Sequence, residues 1–230
     1  ILSSKITTID ISFNQIESIP KEIFTNLPNL HAFYAYFNKI TEIPAEISNC
    51  KTLFTLDISY NPIKKLPKLP RSLDRIYASN CQIESFDDDP FVGPSTTKVF
   101  LSHVDLSGNN LESFSNIESV QILNLSQNRI KKLPLITENL RILDVSMNQI
   151  ESTPDSIPQI ISGVSITDLN LSHNKLTEVP QFHKVPILQN LELTGNPIKG
   201  CLDLSLFQFL ERVDLSQTAI SPIGECETLK

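Results

Sequence analysis

The segment Leu53-Phe54-Thr55-Leu56-Asp57-Ile58-Ser59-Tyr60-Asn61-Pro62-Ile63 decides the fold. Numbered one to eleven, it is apolar at positions 1, 4, 6 and 11 and carries Asn at position 9. Leu56 and Ile58 are two residues apart, so a strand through them sends both side chains to one face and Thr55, Asp57 and Ser59 to the other. Asn61 follows where the chain must turn, and a buried amide there can pair with backbone groups. Outward in both directions the frame recurs. Its strand pairs at positions 4 and 6 are Ile9 and Ile11, Phe33 and Ala35, Ile76 and Ala78, Val104 and Leu106, and Leu123 and Leu125. They continue as Leu143 and Val145, Leu169 and Leu171, Leu191 and Leu193, and Val213 and Leu215. Cys81 and Thr218 stand in the Asn slot of the fourth and tenth copies, and a small buried thiol with a weak S–H donor fits that slot.

Ten copies start 24, 23, 20, 28, 19, 20, 26, 22 and 22 residues apart. A fixed period of this length means stacked units that bury a shared core only by touching their neighbours. The pattern resembles the leucine-rich repeat, LxxLxLxx[N/C]xL, over essentially the whole chain. The resemblance implies an α/β solenoid, a curved horseshoe with one parallel sheet on its concave face. Residues 1–230 would form a single repeat domain with strands starting near 6, 30, 53, 73, 101, 120, 140, 166, 188 and 210. The returns hold Ile19-Pro20, Ile43-Pro44, Leu66-Pro67, Leu69-Pro70, Leu133-Pro134 and Val179-Pro180. Proline removes a donor and disfavours helix before it, so extended or 3₁₀ returns are expected on the convex side. Only the longer returns, such as Lys21 to Leu27 and Ala45 to Cys50, have room for a helical turn. Glu84–Phe100, with Asp87-Asp88-Asp89, and Glu151–Ser165 are longer; insertions in repeats often mark binding loops, while the run of three aspartates reads as a solvated loop. Capping repeats are not evident at either end, which predicts a segment of a larger protein.

Composition narrows function. The chain has 230 residues and a net charge of −7, so a nucleic-acid partner is not expected. No apolar run reaches the ~20 residues of a membrane span, and Ile1-Leu2-Ser3-Ser4-Lys5 has no signal-peptide pattern. Six scattered glycines offer no phosphate-cradling loop, so no cofactor is expected. His31, His103, His173 and His183 are too dispersed for a metal, and no serine has the partners of a hydrolytic triad. The sequence therefore predicts no enzyme activity, although a catalytic domain outside this segment fits the same reading. Asn124-Leu125-Ser126 and Asn170-Leu171-Ser172 match a glycosylation pattern that any Leu-Asn-Leu-Ser strand produces. Cys50, Cys81, Cys201 and Cys226 are too sparse for a disulfide scaffold, which predicts a reducing, intracellular and cytoplasmic setting.

Function then rests on the exposed positions 2, 3, 5, 7 and 8. All four tyrosines, Tyr34, Tyr36, Tyr60 and Tyr77, fall there, as do Phe13, Phe37 and Phe54. Large aromatics on a rigid surface make binding hot spots. The same positions hold Asp10, Asp57, Asp74, Asp105, Asp144, Asp168, Glu192, Glu211 and Asp214 against Arg75, Arg141 and Arg212. Stacked carboxylates repel one another, and a basic partner relieves the repulsion. The expected partner-binding set is Tyr34, Tyr36, Phe37, Tyr60, Tyr77, Asp57, Asp105 and Asp144, on a monomer that recognises a basic protein. Similarity to intracellular signalling repeats implies recruitment for a phosphatase, kinase or GTPase. A receptor or adhesion ectodomain, or the recognition region of an effector enzyme, are the alternatives.

Overall fold

A computed structural model describes residues 5–86, 101–114, 120–134, 136–152, 165–180 and 187–224. Asp87-Asp88-Asp89, most of both long returns and Cys226 lie outside the described residues. The chain forms two compact units, Ile1–Leu111 with Ile117–Leu123, and Glu112–Asn116 with Asn124–Lys230. In the first, the strands Thr8–Asp10, Ala32–Tyr34, Thr55–Asp57, Arg75–Tyr77 and His103–Asp105 pair in chain order, all parallel. In the second, Ile142–Asp144, Asp168–Asn170, Asn190–Glu192 and Arg212–Asp214 do the same. The strand Ile122–Asn124 lies across the sequence boundary of the units. Each unit is the parallel-strand solenoid that the repeat predicts.

Positions 4 and 6 are the core: Phe33, Leu56, Ile58, Ile76 and Val104 are completely buried. The Asn slot is as the sequence requires. Asn61 accepts from the Ile40 N–H at 3.0 Å and donates to the carbonyls of Ala35 and Ile58 at 2.9 Å each. Asn38, Asn109, Asn148 and Asn174 repeat that arrangement, each bracing its own turn against the preceding repeat. Cys81 keeps only the donor half, with its thiol 3.4 Å from the Ile58 carbonyl. Having no side-chain oxygen to meet, the Ile63 N–H donates instead to the carbonyl of Asn61 at 2.8 Å.

The returns hold a short α-helix, Glu22–Asn26, and a 3₁₀ turn, Ala45–Asn49, in the two segments named for them, and a further 3₁₀ turn at Leu204–Leu206. The sequence did not point to a second set of pairings on the return side. Lys65–Leu66 pairs with Ser85–Phe86, and Lys199–Asp203 pairs with Ala219–Gly224, both parallel. Among the described residues no helix is long and apolar enough to cross a membrane.

The cysteines depart from expectation. Cys50 and Cys81 are buried free thiols, but Cys201, in the strand Lys199–Asp203, is disulfide-bonded. The chain is too poor in cysteine for a scaffold of bridges, yet one bridge is enough to break the inference from sparse cysteines to a reducing compartment. Burial pushes the Cys50 thiol up and the Cys81 thiol up to about 11, so neither supplies a reactive thiolate. Alkylation of native protein followed by intact mass should leave Cys50 and Cys81 unmodified. Under denaturing, non-reducing conditions both should be labelled while Cys201 stays unlabelled until reductant is added. Labelling of Cys201 without reductant would contradict the bridge.

Candidate functional site

The turn after each strand sets the site. Position 8 has positive φ in every repeat, from +50° to +70°, at Phe13, Phe37, Tyr60, Asn80, Gly108, Gln127, Met147, His173, Gly195 and Gln217. An L-residue in this left-handed region costs roughly 1–2 kcal/mol, and for a bulky side chain it is an outlier. The conformation aims the position-8 N–H along the stack, where it bonds the position-7 carbonyl of the next repeat. Phe13 reaches Tyr36 and Phe37 reaches Ser59 at 3.0 Å, Tyr60 reaches Ser79 at 2.9 Å, and His173 reaches Thr194 at 2.7 Å. Side chains lean the same way. A Cβ added to Gly195 would sit 2.4 Å from His173 Nδ1, and one on Gly108 2.7 Å from Asn80 Oδ1. Glycine at those two positions leaves room for the residue that precedes it in the column.

In the first unit this column is aromatic. Phe13 and Phe37 stack with ring centroids 5.0 Å apart, Phe37 and Tyr60 stack at 4.1 Å, and Tyr36 meets Phe13 edge-on at 5.1 Å. The rings remain open to solvent, with Phe13 70% and Phe37 and Tyr60 each 44% exposed. Stacking adds about 0.5–1.5 kcal/mol per pair beyond burial, which offsets part of the backbone cost. Phe13 was legible only as one exposed ring among several; its place at the head of the stack follows from the turn. The signal for that turn was present, since Asn80, Gly108 and Gly195 all fall at position 8, and those residue types tolerate positive φ.

Position 5 forms a second row. Strand register sets Asp10 beside Tyr34, Tyr34 beside Asp57, Asp57 beside Tyr77, and Tyr77 beside Asp105. Acid and aromatic alternate across five strands at roughly 4.8 Å spacing. Tyr77 also meets the His103 ring at 5.1 Å. Each Asp has a structural duty as well: Asp10, Asp57 and Asp105 accept from the N–H of the serine two residues on, at 3.0, 3.0 and 2.9 Å. Asn124 and Asn170 make the same bond to Ser126 and Ser172 at 3.0 Å. Where the turn takes this bond a neutral amide serves as well as a carboxylate, and the repeats of Tyr34 and Tyr77 form the same turn without it.

The charges differ in their cost. At Asp10 the Ser12 N–H holds the carboxyl below its ordinary value, and at Asp214 the Ser216 hydroxyl and N–H hold it down to about 2. Asp57 is raised, chiefly by burial, with Asp105 and Asp10 adding repulsion. It is the acid in this row whose ionisation the fold opposes.

Other expected features change. Position 7 is only partly open: Ser59, Ser126, Ser146 and Ser172 are buried, Tyr36, Ser79, Ser107 and Thr194 half-buried, and Ser216 exposed. Asp74 is occupied, accepting from the Ser102 hydroxyl at 2.7 Å and from Arg75 Nε at 3.3 Å. Asp168 is held by Thr167 and Asn190 at 2.6 Å each, and Glu192 lies 3.6 Å from Arg212. The acidic face thus reduces mainly to position 5. Of the expected residues, Tyr34, Tyr36, Phe37, Tyr60, Tyr77, Asp57 and Asp105 belong to the first unit, and Asp144, bonded to the Ser146 N–H at 2.8 Å, to the second. Among the described residues no group of three His, Cys, Asp or Glu could hold a metal ion.

The leucine rich repeat family profile matches residues 4–63 and 138–198, slightly more than half of the chain. Bovine fibromodulin is 34% identical over 176 residues, 75% of this chain and 42% of its own length. Chicken lumican is 31% identical over 191 residues, 78% of this chain and 56% of its own length. The chain therefore spans about half, or less, of the relatives it matches. The crystal structure of the LRIM1/APL1C complex superposes with a TM-score of 0.84 at 25% identity, over 96% of this chain and 41% of that one. Fibromodulin and lumican are secreted extracellular matrix proteins, which overturns the intracellular, cytoplasmic placement. The bonded Cys201 agrees with the correction.

Proposed function

The chain belongs to the leucine-rich repeat family, and on that premise we propose that it is an extracellular protein-recognition module whose exposed strand face takes a basic segment of a partner protein. The carrying observation is the row Asp10–Tyr34–Asp57–Tyr77–Asp105, where an acid whose charge the fold opposes sits between two tyrosines. An ammonium or guanidinium group placed there would meet a carboxylate and two aromatic rings together, which supplies ion pairing and cation–π attraction at one point. The neighbouring stack of Phe13, Phe37 and Tyr60 offers apolar area to the residues flanking that cation. Extracellular placement draws on fibromodulin and lumican, and a receptor or adhesion ectodomain is the form of this reading closest to them. Titration against an array of basic matrix proteins, with wild type and a Tyr34→Ala/Tyr77→Ala variant, tests it. Binding by wild type that the variant loses supports the reading; equal binding, or none by either, rejects it.

A further inference from the structure

Away from the position-5 row, the first unit has a cavity of about 390 Å³ lined by Ser48, Asn49, Lys51, Lys68, Arg71 and Ser72, with Leu69 and Pro70 beside them. It lies where two consecutive returns lead into the strands Thr55–Asp57 and Arg75–Tyr77, at the opposite strand ends from the aromatic column. Ser72 ties the returns together, its hydroxyl 2.7 Å from the Leu53 carbonyl and 3.1 Å from that of Cys50. That bond and the buried Leu69 and Pro70 fix the wall from which Lys68 and Arg71 project.

The charge of this cavity runs against that of the molecule. Three cations and no carboxylate line it in a chain of net charge −7. Among the described residues, Lys51, Lys68 and Arg71 make no ion pair, although Arg75, Lys131 and Arg212 do. Three like charges around one concavity repel one another unless an anion enters. We propose that this cavity is a binding site for a tetrahedral oxyanion, a sulfate or phosphate group. Arg71 supplies the planar fork that such a group accepts in bidentate fashion, Lys68 on the same wall and Lys51 on the neighbouring return add point charges, and the Asn49 amide is a neutral donor. A lone carboxylate offers two coplanar oxygens; a sulfate or phosphate group offers three or four in a tetrahedral spread, enough to meet all three cations, and the free dianion also neutralises two of them.

The group could arrive free or on a polymer, and one experiment separates the sources. Inorganic sulfate and inorganic phosphate are titrated into the protein by calorimetry, and heparin is titrated in parallel at 50 and 200 mM salt. The comparison proteins are Lys51→Gln/Lys68→Gln/Arg71→Gln and a variant with the same charge change elsewhere, Lys21→Gln/Lys39→Gln/Lys175→Gln. All six positions are exposed, and thermal melts confirm that both variants fold. Saturable binding of an inorganic anion that the first variant loses at least tenfold, and the second keeps, supports a free-ion site. Heparin binding with that same selectivity, weakened by added salt, supports a polymer-borne group. Equal losses in the two variants, or no binding of any probe, overturn the proposal. Because no strand-face residue is changed, the result is independent of partner recognition there.

Discussion

Replacing Asn61 by Ala should destabilise the first unit by about 2–4 kcal/mol, since it leaves one buried N–H without a partner and thins the donors to three carbonyls. Asn61 is 2% exposed, and its amide serves the Ile40 N–H and three carbonyls, those of Ala35, Ile58 and Ser59. The carbonyl of Ala35 keeps a second donor, Asn38 at 3.1 Å, so the Ile40 N–H is the decisive loss. Each buried group left without a partner costs roughly 1–3 kcal/mol. The fourth repeat shows how the chain tolerates a poorer residue: with Cys81 in the slot, the Ile63 N–H turns to the Asn61 carbonyl. Asn61→Cys should therefore cost about 1–2 kcal/mol, clearly less than Asn61→Ala. Urea titration followed by circular dichroism measures both. An Asn61→Ala protein within about 0.5 kcal/mol of wild type would mean that the amide ladder does not hold the repeats together.

The Asn ladder was readable because its cause is local: one residue type at one frame position, next to an alternating apolar run. The strands themselves were legible for the same reason. The position-8 turn was half legible, its Asn and Gly signals diluted by Phe13, Phe37, Tyr60 and Met147, which take the same conformation because the N–H ladder compels it. Position 7 was misread as open, since strand alternation says which way Ser59 and Ser126 point and not that their neighbours close over them. The cavity at Lys51, Lys68 and Arg71 went unread: the 20-residue spacing of the third and fourth copies sets residues 48–51 beside 68–71, but not that their side chains leave a concavity between them. The compartment was misjudged for a different reason. Cysteine spacing reports on bridges in dense scaffolds, and one bridged cysteine, Cys201, leaves no pattern of its own.

Asp57→Asn should raise stability at neutral pH and weaken binding of a basic partner by about tenfold, roughly 1.4 kcal/mol. Both effects have one origin. Asn keeps the bond to the Ser59 N–H, as Asn124 and Asn170 keep theirs, so the turn survives. What disappears is a charge in a half-buried place between Tyr34 and Tyr77, near Asp10 and Asp105. The folded carboxyl titrates above its ordinary value of 3.8, so folding disfavours the ionised form. The penalty is absent below the ordinary value, grows as pH rises toward the raised one, and is fully present above it. The variant's advantage in Tm should follow that course: visible at pH 7, gone in strong acid. Removing the rings has the opposite profile. Tyr34→Ala/Tyr77→Ala should abolish measurable binding, since hot-spot aromatics cost at least about 2 kcal/mol each, while stability falls, both rings being half-buried and Tyr77 packed on His103. A basic partner that binds Asp57→Asn as tightly as wild type would reduce the carboxylate to its turn-forming duty and leave recognition to the rings. If binding falls as stability rises, the fold carries an unfavourable charge at Asp57 because a partner's cation offsets it, a trade expected of a binding residue and not of a structural one.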